Sequence, residues 1–233
     1  MAKSIKRKMM LYSMVFLVVV FSFGYIASTT VVQPVSHPTG ITIVIDAGHG
    51  GADGGSVGSK TGITESELNL TYAKKLTKLL EDFGIDVVNT RTDMNGLYDK
   101  LTDDYKLVDM KNRADKINQS GAQVLVSIHM NKYTSSQENG AQVFFEQNNK
   151  ESEQLANSIK DMLKANFDNA RELVLAGDYY ILNQTEPIGV IVECGFLSNP
   201  AEELNLQNED YQNKMCYSIY AGIINYLGVA NNY

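Results

Sequence analysis

The sequence predicts an α/β domain of three layers, in which a mostly parallel, twisted sheet carries helices on both faces. Segments with strand character alternate with segments of helical periodicity between residues 41 and 228, as in domains built around a parallel sheet. Strand segments such as VLVSI and VIV are apolar almost throughout, which is typical of strands buried on both faces. At 233 residues, 44% of them hydrophobic, the chain is long enough for one such core.

The chain begins with the features of an export segment. Residues 1–8 (MAKSIKRK) contain four basic residues and no acid, and Met9–Ile26 contains no charge. As a helix this uncharged run would span roughly 27 Å, near the thickness of a bilayer core. The basic start predicts a cytoplasmic N-terminus. Because no A-x-A cleavage site follows, we favour an uncleaved membrane anchor over residues 1–26 to a cleaved signal peptide.

Residues 27–40 are predicted to form an extended linker, because they are uncharged and contain two prolines. His37 lies in this linker and is expected to be a solvated side chain. The domain beyond it is then predicted to be exported and to lie on the outer side of the cytoplasmic membrane. The formal net charge of −7 for the whole chain argues against general binding of nucleic acid.

The first half of the domain predicts two strands and a long helix. ITIVID (41–46) is a β-branched run, and the following residues, 47–64, contain seven glycines, which indicates a strand and a loop. From residue 65 to 83 apolar residues recur every three or four positions, which defines one helix face. Gly84 ends that helix, and IDVVNT (85–90) is a second strand.

The second half continues the alternation after a polar surface loop at residues 93–104. Residues 171–180 (RELVLAGDYY) are expected to form a loop that faces the substrate, and residues 229–233 a short tail. By the same criteria of periodicity and β-branched runs, the remaining elements are helices at 105–118, 150–167 and about 211–227, and strands at 123–129, 141–145, 178–182 and 188–193.

Polar side chains stand where three of the predicted strands end. Residues 46–51 follow the first strand, residues 127–131 end the third, and Glu193 ends the last. Ligands bind at the carboxyl ends of strands in open α/β sheets. The histidines of these segments, His49 and His129, therefore indicate a possible metal site. Zinc is the metal we expect, because it accepts imidazole nitrogen together with carboxylate oxygen.

The third ligand stays open on the residues alone, since Glu65 and Glu193 are both available. Glu65 begins the first long helix, where an acid can equally serve only to stabilise the helix N-terminus. Glu193 follows an apolar strand, where an unpaired carboxylate is costly. If Glu65 binds the metal, Glu193 can act as general base on the water. Separately, His49 could be a loop histidine and His129 a hydrogen-bonded core histidine.

Four segments resemble one enzyme family in the same order along the chain. They are IVIDAGHGGADGGSVG, TESELNL, SIHMN and VIVECGFLSNP, and they resemble the zinc-dependent N-acetylmuramoyl-L-alanine amidases of the amidase-3 family. The resemblance covers about residues 41–228. It implies a fold like that of the zinc exopeptidases, and peptidoglycan as the substrate. The bond cut would be the amide between N-acetylmuramic acid and the L-alanine of the stem peptide.

The resemblance also implies roles for particular residues. By the family pattern the Zn²⁺ ligands are His49, Glu65 and His129, and the catalytic carboxylate is Glu193. The positions of Arg91 and Asn131 also match the family pattern, and we interpret Arg91 as structural.

Other residues near these motifs are interpreted from their chemistry. Asp46 either orients His49 or caps the loop. Met130 and Lys132 are bulkier than the residues usual in the family, which would narrow the groove. Cys194 and Cys216 are expected to be small buried apolar residues.

The short anchor and linker, followed by a single domain without wall-binding repeats, resemble the layout of amidases of the spore cortex. These enzymes remove stem peptides so that muramic δ-lactam can form. A general autolysin for cell separation would have a similar layout, and a weakly active wall-binding or regulatory module of the same fold is the alternative from another class. A domain this small makes an activating protein partner plausible.

Overall fold

The computed structural model describes residues 40–230. The predicted anchor at residues 1–26, the linker up to residue 39 and the last three residues lie outside the described part. Within it no helix has the length and apolar character needed to cross a membrane. The sheet has six strands in the order β2-β1-β3-β6-β4-β5, which are β1 (Thr42–Ala47), β2 (Asp86–Asn89), β3 (Val124–Asn131), β4 (Gln142–Glu146), β5 (Leu175–Gly177) and β6 (Ile188–Phe196).

The sheet is mostly parallel, as the sequence predicts. β1 pairs parallel with β2 and with β3, β3 pairs parallel with β6, and β4 pairs parallel with β5. The exception is the pair of β4 and β6, which is antiparallel. β6 therefore lies in the middle of the sheet, between β3 and β4, although it is the last strand of the chain.

Helices cover both faces, which confirms the three-layer prediction. Leu76, Ile159 and Ile219 lie in the core on one face, and Ile117 and Ile181 lie in the smaller core on the other. The six helices are α1 (Glu65–Asp82), α2 (Tyr105–Gln119), α3 (Lys150–Asn166), α4 (Tyr180–Asn183), α5 (Pro200–Gln207) and α6 (Glu209–Ala230) among the described residues. The first group of core residues comes from α1, α3 and α6, and the second from α2 and α4.

Two predictions for the last third of the chain are wrong. Residues 178–182 are not a strand, because α4 begins at Tyr180 and buries Ile181 and Leu182 against the smaller core. The fifth strand instead lies within residues 171–180, which we expected to be a loop. Helix α5 was not predicted, although Asn199 caps it by accepting hydrogen bonds from the backbone N–H groups of its first turn and Pro200 opens it.

Both cysteines are buried free thiols, so the prediction that Cys194 and Cys216 are small buried apolar residues is confirmed. Met130 is also buried in the core but still lines the cleft beside His129, so the narrowing of the groove by its side chain stays a prediction. Lys132, two residues later in the sequence, is exposed and does lie at the rim of this cleft.

The strand register positions polar side chains at one edge of the sheet. Asp46 pairs with Ser127 across β1 and β3, and His129 pairs with Glu193 across β3 and β6. All three strands run parallel and end at this edge. The edge therefore carries the polar residues on which the sequence analysis centred.

Candidate metal centre

His49, Glu65 and His129 come together at the carboxyl edge of the sheet. Glu65 Oε1 lies 3.2 Å from Nε2 of His49 and 2.9 Å from Nδ1 of His129. The two imidazole rings stand edge to face, with centroids 5.1 Å apart. One ligand atom from each residue lies within 4.8 Å of the other two. The structure thus brings together three side chains that lie far apart in the sequence.

Glu65 is held at the start of α1. The backbone N–H of Thr64, the residue before the helix, donates to the Glu67 carboxylate at 3.1 Å, which caps this end of α1. The backbone N–H of Ser56 donates to Oε2 of Glu65 at 2.8 Å. Because Oε2 is engaged in this way, Oε1 is the oxygen turned toward the two histidines.

His49 lies in a tight turn that two arginines hold in place. Its φ angle is 61°, in the left-handed region that side chains other than glycine rarely adopt. Arg113 Nη2 donates to the His49 carbonyl at 2.9 Å, and Arg91 donates to the carbonyls of Ala47 and Gly48 at 2.9 and 3.0 Å. These bonds offset the cost of the strained backbone and fix where the imidazole projects.

Asp53 determines which nitrogen of His49 faces Glu65. The carboxylate Oδ2 of Asp53 lies 2.7 Å from Nδ1 of His49, and its Oδ1 forms a salt bridge with Lys106 at 2.9 Å. With Nδ1 engaged, Nε2 is left to face the cluster. A carboxylate on the far nitrogen is the usual way in which proteins orient a histidine toward a metal.

The His129 ring packs directly against the backbone of Gly48. A Cβ atom at position 48 would lie 2.2 Å from Cε1 and Nε2 of the ring. Only glycine therefore allows the β1 loop to pass so close to His129. The backbone N–H of Gly48 also donates to the Ile128 carbonyl at 3.1 Å, so the loop is fixed to β3 next to the histidine.

The donor set fits a zinc-sized cation. Around a tetrahedral zinc with bonds of ~2.0–2.2 Å, neighbouring ligand atoms stand about 3.3–3.6 Å apart. The contacts of Glu65 Oε1 with the two imidazoles, 3.2 and 2.9 Å, are close to that spacing. Two imidazoles with one carboxylate form a ligand set that zinc accepts in hydrolases.

Glu193 stands beside this cluster with a free oxygen. Its Oε2 is buried and has no hydrogen-bond partner among the described residues. Burial raises the pKa of Glu193 to about 7, with Glu65 adding to the rise and His129 and His49 opposing it. A buried carboxylate without a partner is costly unless it has a function.

The charges in the cluster are strongly coupled. Burial opposes charge on Glu65, yet its hydrogen bonds with His129 and His49 hold the pKa of this carboxyl well below its usual range. Burial likewise disfavours the charged form of His49, but Glu65 and Asp53 together raise the pKa of this imidazole to about 9. The site therefore attracts positive charge to the space between these side chains.

The three lesser candidates lie around the site rather than in it. Asp46 is buried and accepts hydrogen bonds from Arg113 Nη1, Ser127 Oγ and Thr90 Oγ1 at 2.6–2.7 Å. Because Arg113 also donates to the His49 carbonyl, Asp46 is connected to the His49 turn through this arginine. Arg91 supports the loop, as interpreted from the sequence. Asn131 lies at the end of β3, where its Oδ1 accepts from the Lys132 backbone N–H at 2.8 Å.

Two residues of the site escaped the sequence analysis. Asp53 follows His49 by four positions within the glycine-rich loop, and an acid at that spacing is a signal that could have been used. Arg113 carried no such signal, because its partner Asp46 lies 67 residues away. Only the fold shows that the two meet.

Comparison with known proteins decides the family. The sequence model of the N-acetylmuramoyl-L-alanine amidases (Amidase_3) matches residues 43–225. The chain belongs to this amidase family. The resemblance derived from the four motifs is thereby confirmed, and the chain is a hydrolase of the amidase type that acts on peptidoglycan.

Relatives of this amidase support the assignment over nearly its whole length. The chain is 36% identical over 228 residues to the germination-specific N-acetylmuramoyl-L-alanine amidase of Bacillus subtilis, with 95% of each chain covered. Among solved structures, the CwlD amidase of Clostridioides difficile, in complex with the GerS lipoprotein, is 37% identical with a TM-score of 0.78. That match covers 81% of this chain and 99% of CwlD.

A second amidase structure shows the same fold. The catalytic domain of CwlV from Bacillus (Paenibacillus) polymyxa is 32% identical with a TM-score of 0.72, and the match covers 81% of this chain and 99% of that domain. Both likenesses confirm the α/β fold of the described residues.

Proposed function

We propose that the amidase cleaves the bond between N-acetylmuramic acid and L-alanine with His49, Glu65 and His129 holding Zn²⁺ and with Glu193 as the general base. The observation that carries this proposal is the placement of Glu193. Its buried, unpartnered Oε2 stands next to His129 in the strand register, beside three side chains that together form a zinc ligand set.

Glu193 has the properties that a proton shuttle needs. Its pKa of about 7 lies near neutral pH, where a base can both take up and release a proton. Oε2 would accept a proton as water attacks the amide carbonyl, and the same oxygen would return it to the leaving nitrogen of L-alanine. Among the described residues no hydrogen bond occupies Oε2, so this oxygen would be available to the water.

The ligands are prepared for a divalent cation before it binds. Asp53 fixes the tautomer of His49, Ser56 fixes the carboxylate of Glu65, and Gly48 fixes the plane of the His129 ring. When bound, zinc would supply Lewis acidity toward the attacking water and the scissile carbonyl.

Activity of the purified full-length chain on muropeptides tests the proposal. We expect release of free stem peptide by the wild type, and a loss of about a hundredfold or more in kcat for Glu193→Gln with an unchanged zinc content. Glu186→Gln, an exposed change just before β6, is the matched control and keeps full activity. His49→Ala should lose the zinc itself. A fully active Glu193→Gln chain, or an undiminished zinc content in His49→Ala, would contradict the assignment.

We also infer a role in the spore cortex, where removal of stem peptides allows muramic δ-lactam to form. The similarity in both sequence and length to a germination-specific amidase supports this role. Deletion of the gene should yield spores whose cortex lacks muramic δ-lactam, while cell separation during growth stays normal. Normal δ-lactam content would instead favour a general autolysin.

The N-terminal 26 residues would anchor the amidase to the outer face of the membrane, with the domain at residues 41–228 facing the wall. The relative CwlD was solved in complex with a lipoprotein, and we propose that a lipoprotein partner also binds this chain. Membrane fractionation of a fusion of residues 1–40 tests the anchor, and co-purification from sporulating cells tests the partner.

A further inference from the structure

Two clefts of different chemistry meet at the Glu193 carboxylate. The first, of about 370 Å³, extends along the α2 and α4 side of the sheet. The second, of about 600 Å³, is more open and extends over the glycine-rich loop and the end of β3. His49, His129 and Glu193 line both. A substrate whose scissile amide lies at Glu193 therefore places its two halves in different surroundings.

The first cleft is largely apolar. Its walls include Met110, Tyr179, Tyr180 and Ile181. The Tyr179 ring packs edge to face on Phe144, with centroids 5.3 Å apart. Apart from Glu193 itself, the acids that line this cleft are paired with cations, since Asp46 and Asp109 pair with Arg113, and Asp53 pairs with Lys106. Such walls suit an uncharged group with apolar faces, such as a pyranose ring.

The second cleft carries one cation without an acidic partner. Of the two lysines that line it, Lys106 is paired with Asp53 at 2.9 Å. Lys132 has no carboxylate within salt-bridge distance among the described residues, and its Nζ lies 3.5 Å from the carbonyl of Val57 across the cleft. The ammonium thus stands over the cleft, three residues beyond His129, with its charge available to a ligand.

We propose that Lys132 binds a carboxylate of the stem peptide, and that the substrate lies with its peptide in the second cleft and its muramoyl group in the first. This inference rests on the proposed function and adds the direction of the substrate. The peptide beyond L-alanine bears carboxylates, whereas the muramoyl side bears only hydroxyl and acetamido groups. The uncharged muramoyl group then contacts the largely apolar walls of the first cleft, and the acidic peptide contacts Lys132 in the second.

Binding to the inactive Glu193→Gln chain tests the role of Lys132 without requiring turnover. The ligands are two disaccharide peptides that differ only in whether the stem carboxylates beyond L-alanine are free or amidated. We expect the Glu193→Gln chain to prefer the free acid roughly fivefold, as for one partly exposed ion pair. Adding Lys132→Met should abolish this preference, and adding Lys132→Arg should retain it. Lys74→Met, an exposed change on α1, is the control.

A second comparison tests the direction of the substrate. In a pair of ligands with the same peptide, the muramoyl group is present or is replaced by a lactoyl group. Tyr180→Ala should weaken only the ligand that bears the sugar, and Lys132→Met should weaken both equally. The opposite pattern would overturn the proposed direction of the substrate.

Equal effects of Lys132→Met on free and amidated peptides, or no effect, would overturn the role of Lys132. Failure of the wild type to release stem peptide would contradict only the proposed function.

Discussion

Asp53 illustrates how a residue outside the proposed ligand set controls it. A neutral imidazole carries its proton on either nitrogen, and the partner of one nitrogen decides the state of the other. Asp53 accepts from Nδ1 of His49, so the lone pair of Nε2 is directed at the cluster. Lys106 in turn holds Asp53, and the three side chains form a chain of contacts that reaches the cleft surface.

We expect Asp53→Asn to lower zinc affinity about 10- to 100-fold, the usual cost of removing a carboxylate behind a metal-binding histidine. The amide of this variant can still contact Nδ1 of His49, but it lacks the negative charge that makes the imidazole a stronger metal ligand. Competition with a zinc chelator measures the affinity. Asp93→Asn, in the loop that follows β2, is the control. Wild-type affinity in Asp53→Asn would show that Asp53 does not orient His49.

Asp46 and Arg113 link β1 to α2 beneath the candidate metal centre. Both side chains are 1% exposed, and their charged atoms lie 2.7 Å apart. Burial alone would raise the pKa of Asp46, but Arg113 and the hydroxyls of Ser127 and Thr90 lower it to about 2. A carboxyl whose pKa is lower in the folded state stabilises the fold above its unfolded pKa.

This shift predicts how the stability of the folded chain depends on pH. At neutral pH we expect Asp46→Asn to lower the free energy of unfolding by about 2 kcal/mol or more. The difference from wild type should persist down to about pH 4 and shrink as the pH falls further toward 2, where Asp46 itself takes up a proton. Denaturant unfolding at several pH values measures the difference. A difference that stays constant down to pH 2 would contradict the shift.

Helices α3 and α6, on the face of the sheet opposite to α2, approach each other more closely than most side chains allow. Gly222 of α6 lies against Ile159 of α3, where a Cβ atom would stand 2.4 Å from the Ile159 Cα. Ser158 Oγ also donates to the Gly222 carbonyl at 2.7 Å. The close approach depends on the glycine, because the obstructing atom belongs to the backbone and cannot rotate away.

Gly222→Ala is therefore expected to destabilise the fold by about 2 kcal/mol, as overpacking of a core typically does. Gly228→Ala in the same helix provides the control, since a Cβ there would lie within 4 Å of no atom of the part of the chain that the structure describes. That change should be neutral or stabilising, as alanine favours helix over glycine. Thermal unfolding of both variants tests the expectation, and equal melting temperatures would refute it.

The helices and strands with long, regular patterns of apolar residues could be predicted from the sequence. Those that depend on packing against residues far away in the sequence could not. The helix that begins at Glu65 follows from its apolar spacing, and β1, β3 and β6 follow from their β-branched runs. β5 has little pattern to detect, because Leu175 and Ala176 are both exposed on an edge strand. Residues 178–182 have strand-forming side chains, but residues 180–182 pack against α2 as part of a helix.

For the candidate metal site too, residues with a local sequence pattern could be predicted, and those positioned by distant packing could not. His49, Glu65, His129 and Glu193 were found because each lies in a motif at an element boundary. The support from Arg113 could not be found, since its contacts with the β1 loop arise only from the packing of α2.

At the scale of the molecule, the core contains no cross-link. Cys194 and Cys216 are both fully buried thiols, and burial raises the pKa of Cys216 to about 12 and that of Cys194 well above its usual range. We expect a thiol reagent to label neither cysteine in the folded chain and both after denaturation. Reducing agent should leave the melting temperature unchanged. Rapid labelling of the native chain would contradict the burial.

The central position of β6 has a consequence for how the amidase comes into being. A ribosome delivers β1, β2 and β3 first, and the strand that must lie beside β3 arrives only after β4 and β5. Until then the edge of β3 that will pair with β6 has no partner, although its other edge can already pair with β1. Glu193 does not yet stand beside His129. Pairings this distant along the chain fold slowly, so a nascent chain that already carries the three proposed zinc ligands still lacks the carboxylate proposed as the general base.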